Sequence, residues 1–304
     1  MAALPDALPA SLTVTTWNLG YAGLGAESDF IADGGRHRFP PSAAIVRKNL
    51  DGIVATLSGL EQQVLLLQEV SRHSPLSWWQ PVEQRLARLY AERSIAYRPD
   101  MQTRWLPAPL AVNHGTMLVA EVAPLRVETV ELPRETAAPL GMPKRQYGLQ
   151  VLRAPLAGST AHWVIANVHL SAFDDGGRFR RRQLAAVFDF AEAEYRKGNH
   201  VIVGGDWNMV LSDPKWPSTT EQKHLFWIFD FPRDLVPAGW SLVTDATMPT
   251  VRTLHKPYVA GENYVTAIDG FLVSPNVRTL AAHTSDTGFA FSDHMPVTAS
   301  FEAA

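Results

Sequence analysis

The sequence contains no cysteine. That excludes disulfides, thiolate metal sites and a cysteine nucleophile, so any bound metal must use oxygen ligands or histidine. No apolar run approaches the roughly 20 residues of a membrane-spanning helix. The N-terminus, MAALPDALPA, has no basic start, and Pro5, Asp6 and Pro9 interrupt what would be the apolar core of a signal peptide. A cytoplasmic location is therefore expected. Strong charge of either sign is also missing: 27 Lys and Arg face 30 Asp and Glu, a net charge of −3. The chain as a whole does not attract nucleic acid, although a local basic groove is compatible with this balance. Internal repeats, low-complexity segments and Ser/Gly-rich linkers are absent too, so nothing divides the chain. What is present suffices for a sizeable core: 304 residues, 46% of them hydrophobic.

Strand and helix signals alternate along the chain. Leu12–Trp17 is β-rich and leads into a loop containing Gly20, Gly23, Gly25, Gly34 and Gly35. Pro40-Pro41-Ser42 then opens a helix with Val46, Leu50, Ile53, Val54 and Leu57 on one face. Gln63–Leu67 reads as a short buried strand and Trp78–Tyr90 as a helix. Further strands are expected at Thr116–Val122, Leu125–Leu132, Tyr147–Leu152 and His162–Val168. Arg180–Tyr195 has the spacing of an amphipathic helix. His200–Val203, Ala267–Val273, Val277–His283 and Met295–Phe301 read as later strands, after a loop-rich stretch at Leu211–Thr266. Continuous apolar strands need cover on both faces, yet helices separate only some of them. A mixed sheet, or two sheets packed together with helices outside, within one α/β domain is the expected architecture.

One pattern recurs at the strand ends. Apolar runs finish in Asn18, in Gln68-Glu69, in Asn167 and His169, and in Asp206 and Asn208; Asp269 and Asp293-His294 fit it less tidily. A single Asp or Asn after a strand is usually a turn residue. Repetition changes the reading, because a buried carboxylate without a partner is very costly and persists where it meets a cation, a ligand or another acid. Two or three carboxylates supported by carboxamides make a Mg²⁺ or Mn²⁺ site, since hard cations take oxygen ligands. In "FSDHMPV", Asp293 and His294 share one turn that Pro296 ends. A histidine beside a metal works as acid or base near neutral pH, and a separate carboxylate such as Asp269 would fix its tautomer.

The motifs WN, QE, NVHL, GGDWN, IDGF and SDHMPV, in this order, resemble the endonuclease/exonuclease/phosphatase family, the deoxyribonuclease-I-like superfamily, over roughly Leu12–Phe301. The resemblance implies an α/β four-layer sandwich of two packed mixed β-sheets flanked by helices, formed by a single catalytic domain over residues 10–304. It also implies a Mg²⁺ (or Mn²⁺) cofactor, with Glu69 as principal ligand, Asn18 close beside it, and Asp293 completing the site or its surroundings. Asp206 would orient or deprotonate the attacking water, and Asn208 would donate to the phosphoryl group. His294, oriented by Asp269, would contact a phosphate oxygen or serve as base; the motif leaves open which of Asp206 and His294 takes the proton. His169 matches a histidine that approaches the scissile phosphate and leaving group.

Two departures from the family pattern stand out. Trp207 replaces a smaller residue, which points to altered packing behind the site. The loop GYAGLGAESDFIADGG is extra, and its acids Glu27, Asp29 and Asp33 read as solvated. In RFRRRQ, Arg178, Arg180, Arg181 and Arg182 read as a solvated helix face, with Arg181 the candidate to grip a substrate phosphate. Arg252 and Tyr258, in PTVRTLHKPY, are candidates to line a substrate pocket. Trp78 and Trp79 read as core residues of a helix rather than as base-stacking groups. His37, His73 and His114 carry no expected role.

The function expected is hydrolysis of a phosphodiester in nucleic acid, a small molecule or a lipid headgroup, with no protein partner. A phosphomonoesterase acting on a sugar or inositol phosphate is the competing enzyme reading. An inactive binding module is disfavoured by the intact Glu69, Asp206, Asn208, Asp269 and His294.

Overall fold

Alternation along each strand sorts side chains into three apolar layers. On Val64–His73, Val64 and Leu66 point into one cluster and Leu65 and Leu67 into another. On His200–Asp206, Ile202 joins the first cluster while Val201 and Val203 join a third. Period-two placement of this kind is what a strand covered on both faces requires. The structure, a computed structural model, describes residues 3–103, 110–134, 145–172 and 174–304.

In chain order the elements are β1 (Ser11–Asn18), α1 (Ala43–Ser58), β2 (Val64–His73), α2 (Val82–Leu89), β3 (Ser94–Gln102), β4 (Asn113–Ala120), β5 (Val127–Glu131), β6 (Gly148–Pro155), β7 (His162–His169), α3 (Arg178–Arg196), β8 (His200–Asp206), β9 (Ser241–Val243), β10 (Val251–Arg252), β11 (Val265–Thr266), β12 (Asp269–Val273), β13 (Val277–Thr284) and β14 (Val297–Ala303). Two six-stranded sheets have the orders β13-β14-β1-β2-β4-β3 and β5-β6-β7-β8-β12-β9. Both are mixed: β1 and β2 run parallel in one, β7 and β8 in the other, and the remaining pairs are antiparallel. Leu12, Val14, Trp163, Ile165, Phe271 and Phe301 belong to the core between the sheets. Helices α1 and α2 cover the outer face of the first sheet and α3 that of the second, giving four layers as expected.

Local chemistry explains the helix starts. Ser42 caps α1 through its side chain, which accepts from the Ile45 amide at 3.3 Å. The N-cap of α3 is Gly177, which has no side chain, and Asp174 substitutes by accepting the amides of Phe179 and Arg180 at 2.7 and 3.0 Å. The expected helix Trp78–Tyr90 begins only at Val82, because Pro75 and Pro81 punctuate the segment. Trp78 and Trp79 take left-handed backbone angles in the turn between, 37% and 40% exposed, which overturns their expected core role. The strand expected at Gln63–Leu67 continues to His73 past a bulge, and the strand expected at Ala267–Val273 begins only at Asp269, as β12, with Ala267 and Ile268 between it and the end of β11 at Thr266.

Candidate active site

Strand register assembles half of the site. β7, β8 and β12 are neighbours; His169 pairs with Asp206, and Asp206 with Asp269. Directly paired residues share a face, so the three form one row across the second sheet. Gly205 lets β8 run this close: it has φ 151°, and a Cβ there would meet the Val168 carbonyl.

The first sheet brings Asn18 and Glu69. Asn18 ends β1, donates Nδ2 to Asp206 Oδ2 at 2.9 Å across the sheets, and accepts the Gly20 amide on Oδ1 at 3.0 Å. Glu69 sits in the β2 bulge between Leu67 and Val70 at φ 52°. A bulge re-aims one side chain out of the alternation, and left-handed backbone at a glutamate is the strain it costs. Asn208 follows β8 at φ 50°, donating Nδ2 to the Leu170 carbonyl at 2.9 Å.

The Ser292–His294 turn closes the site. Ser292 Oγ donates to the Asn18 carbonyl at 2.8 Å, and the Trp17 indole donates to the His294 carbonyl at 3.0 Å. His294 Nδ1 meets Asp269 Oδ2 at 2.9 Å, and Thr250 Oγ1 donates to the same oxygen at 2.6 Å. His294 Nε2 lies 3.8 Å from Asp206 Oδ2, and His169 Nε2 lies 3.6 Å from that atom and 3.9 Å from Glu69 Oε1. Every residue carried over from the family motifs, Asn18, Glu69, His169, Asp206, Asn208, Asp269, Asp293 and His294, is thus brought to one end of the two sheets.

Crowded burial sets the protonation. Burial pushes Glu69 up to about 7, against the nearby Arg145 guanidinium and with help from the Asp293 charge. Burial raises Asp206 to about 6 despite His294, and raises Asp293 as well. For His294 burial works downward, but the Asp269 and Asp206 carboxylates outweigh it and hold the imidazole well above its ordinary value. His169 goes the other way: burial, then the Arg145 and His294 charges, depress it and keep it neutral.

A hard divalent cation fits this donor set. Glu69 and Asp293 are crowded acids with few donors: the Tyr21 hydroxyl donates to Glu69, Arg145 Nη2 stands 3.5 Å from it, and the Ser292 hydroxyl lies 3.3 Å from Asp293. A cation between such acids would relieve the pressure toward protonation. Asp206, Asp269 and His294 also present ligand atoms within 4.8 Å of one another. Asp269 Oδ2 is already held by His294 and Thr250, while Asp269 Oδ1 is buried with no hydrogen-bond partner among the described residues, so this trio is a second place that a cation fits.

Several residues that bear on the site carry no motif. Arg145 lies half-buried against Asp100 at 3.2 Å and Glu69, with Tyr21 Oη at 3.5 Å. Arg180, expected on a solvated face, is fully buried; it pairs with Asp174 and donates to the carbonyls of Asn208 and Trp227, bracing the loop after β8 from behind. Nothing in the sequence separates these arginines or Thr250 from surface residues. Trp207 packs behind the site as expected, edge-on to Phe231 and donating to the Gly270 carbonyl. Of the loop acids only Glu27 is solvated, pairing with Lys48. Asp29 is buried as a loop cap, and Asp33 is half-buried, pushed up to about 8 by burial and by the charges of Asp293 and Glu69.

Of the three residues expected to bind substrate, two meet: the Arg252 guanidinium lies 5.8 Å from the centroid of the Tyr258 ring. Arg252 is fully buried and donates to the carbonyls of Leu24, Gly25, Ser28 and Thr253, so it ties the extra loop to β10 instead of facing a ligand. Arg181 is exposed on α3, lining a cavity with Asp213, Asp230 and Arg233, and Tyr258 packs half-buried on Phe289.

No protein-family model matches the sequence, and no curated protein does. Solved structures share the fold over nearly the whole chain. An endonuclease/exonuclease/phosphatase from Beutenbergia cavernae superposes with a TM-score of 0.65 at 20% identity, covering 97% of this chain and 72% of its own. The human Nocturnin catalytic domain with bound sulfate gives 0.58 at 18%, covering 98% and 96%. TDP2 from D. rerio, complexed with a single-strand DNA product, gives 0.59 at 15%, covering 96% and 99%. The chain therefore has the fold of these endonuclease/exonuclease/phosphatase proteins.

Proposed function

We propose that the chain is a Mg²⁺- or Mn²⁺-dependent phosphodiesterase whose single domain spans residues 10–304. The observation that carries this reading is the convergence of three histidine and carboxylate strand ends from one sheet with Asn18 and Glu69 from the other. The neighbours lend support, since one binds sulfate and another a DNA product.

Glu69 and Asp293, with the remaining lone pair of Asn18 Oδ1, would hold the cation. Bound there, it supplies charge neutralisation on the phosphoryl and leaving oxygens. Asp206 is held by the Asn18 amide on one oxygen and by the Asn208 backbone N–H on the other, at 2.8 Å. Ionised and fixed, it orients the attacking water and takes its proton. His294, kept charged by Asp269, directs Nε2–H to a non-bridging oxygen, where charge builds in the transition state. Asn208 has one amide hydrogen left for the phosphoryl group after bonding Leu170. Neutral His169 stands ready to donate on the leaving-group side.

A diester is favoured over a monoester by charge. With a divalent cation bound, its charge and those of Arg145 and His294 only balance the four acids Glu69, Asp206, Asp269 and Asp293, leaving no surplus for a second substrate charge. A diester adds one negative charge, a monoester about 1.5 to 2 at neutral pH. The test is turnover of bis-p-nitrophenyl phosphate and p-nitrophenyl phosphate with Mg²⁺, Mn²⁺ or EDTA. Metal-dependent hydrolysis that prefers the diester is expected. No metal-dependent turnover of any phosphate ester, or equal rates for the wild type and His294→Ala, would sink the reading.

A further inference from the structure

An exposed aromatic and basic surface adjoins the site. Arg36, His37, Arg38 and Phe39 are all exposed, Phe39 by 50%. Asp29 fixes this segment: its Oδ1 accepts the amides of Arg36 and His37, both at 2.8 Å, and its Oδ2 meets the His37 ring. Next to it stand Trp78 and Trp79, edge to face with centroids 6.3 Å apart. The Trp78 indole donates to the Pro40 carbonyl at 3.0 Å, which locks that ring beside Phe39. Among the described residues neither Arg36 nor Arg38 has an ion-pair partner.

A continuous set of contacts joins this surface to the carboxylate centre. Tyr21, Leu24, Phe30, Leu76 and Leu254 form a small apolar cluster shared by the extra loop and the tryptophan turn. Tyr21 lies 4.3 Å from the His114 ring, His114 Nε2 meets Ser74 Oγ at 2.6 Å, and Ser74 Oγ caps the turn at the Leu76 amide. On its other side Tyr21 reaches Arg145, the neighbour of Glu69.

We propose that Trp78, Trp79 and Phe39, flanked by Arg36 and Arg38, form a stacking platform for unpaired bases of a single-stranded polynucleotide whose phosphate enters the Glu69–Asp206–His294 centre. The proposal rests on the phosphodiesterase reading and names its substrate class. Every base presents a π-face, so aromatic platforms bind unpaired strands without sequence readout, while flanking arginines meet backbone phosphates. A chain of net charge −3 has no long basic stripe for a duplex, whose base faces are hidden in any case. A bilayer is the poorer occupant. Electrostatic capture of anionic lipid takes clusters of about 4–8 basic residues, and this surface has two arginines.

The test separates binding from catalysis. Asp206→Asn protein with Mg²⁺ present is titrated into a labelled short oligothymidylate, the matching duplex, and phosphatidylcholine/phosphatidylserine vesicles. The oligothymidylate should bind tighter than the duplex, and vesicles should not bind. Adding Trp78→Ala with Trp79→Ala should weaken oligothymidylate binding by about tenfold or more. The paired Phe substitutions should retain it, and Arg36→Ala with Arg38→Ala should flatten its salt dependence. In the wild-type background all these variants should hydrolyse bis-p-nitrophenyl phosphate at the unaltered rate. Equal oligothymidylate binding by the alanine pair and its parent, equal binding of duplex and single strand, or binding of vesicles alone would overturn the platform. Absent chromogenic turnover would instead count against the phosphodiesterase reading.

Discussion

Glu69 and Asp206 are both carboxylates raised toward neutrality by burial, yet their surroundings differ, and the proposed mechanism gives them different work. Glu69 faces Asp293 and Arg145; Asp206 is pinned by Asn18 and Asn208. Glu69→Ala should therefore weaken Mn²⁺ affinity at least about tenfold, while Asp206→Asn should lower kcat by about 10² to 10⁴ with metal affinity kept. Calorimetric titration beside steady-state rates checks both, and an unchanged metal affinity in Glu69→Ala would refute the metal assignment. Both groups must be ionised to act, so kcat/KM should fall as pH drops through about 7 to 6, the range to which burial has pushed them. Thr250 donates to Asp269, which meets His294, so in the proposed mechanism it is a positioning residue. Thr250→Val should lower kcat about tenfold or more, with KM little changed, whereas Thr250→Ser should recover it. A valine variant at wild-type rate would show that His294 needs no such support. Glu69 and Asp206 were legible because their motifs follow apolar runs. Thr250 and Arg145 were not, because nothing local distinguishes a threonine or arginine that folds inward from one that meets water.

At the scale of elements, the site depends on three strands keeping register. β7, β8 and β12 align His169, Asp206 and Asp269, and a shift of one residue in β8 would turn Asp206 to the opposite face. Gly205→Ala tests this, since a Cβ has no room beside the Val168 carbonyl. The variant should lose more than about 3 kcal/mol of stability, measured by urea unfolding, and most of its activity. Wild-type stability would mean that β8 tolerates displacement. The arginine run at the start of α3 read as one solvated face. A helix exposes only part of its circumference, however, and Arg180 falls on the inner part while Arg181 and Arg182 remain outside. Trp78 and Trp79 failed in the opposite sense: their apolar character suggested a helix face, but Pro75 and Pro81 hold them in an exposed turn.

Across the whole molecule, the acids proposed to hold a metal also burden the fold when no cation is bound. A carboxyl raised in the folded state favours folding below its unfolded value, near 4.3 for glutamate, and loses that contribution as pH rises through its folded value. For Glu69 the window ends at about 7. The metal-free protein should therefore lose stability from this group as pH rises toward 7. Mn²⁺ should raise Tm more above pH 7 than below 6, because ligands must be deprotonated to bind. Calorimetric scans across that range decide the matter, and a Tm increment that does not grow with pH would contradict it. The sequence by itself determined the four-layer architecture, through apolar periodicity and family resemblance, and which residues would gather as the candidate site, through polar residues that ended buried strands. Only the tertiary structure decided which remote groups surround those residues: Arg145 beside Glu69, Thr250 behind Asp269, Arg180 beneath Asn208, Arg252 inside the loop. The reason is physical. Periodicity records which side of an element meets the core, whereas a contact across two sheets depends on register and packing that no short stretch of chain encodes.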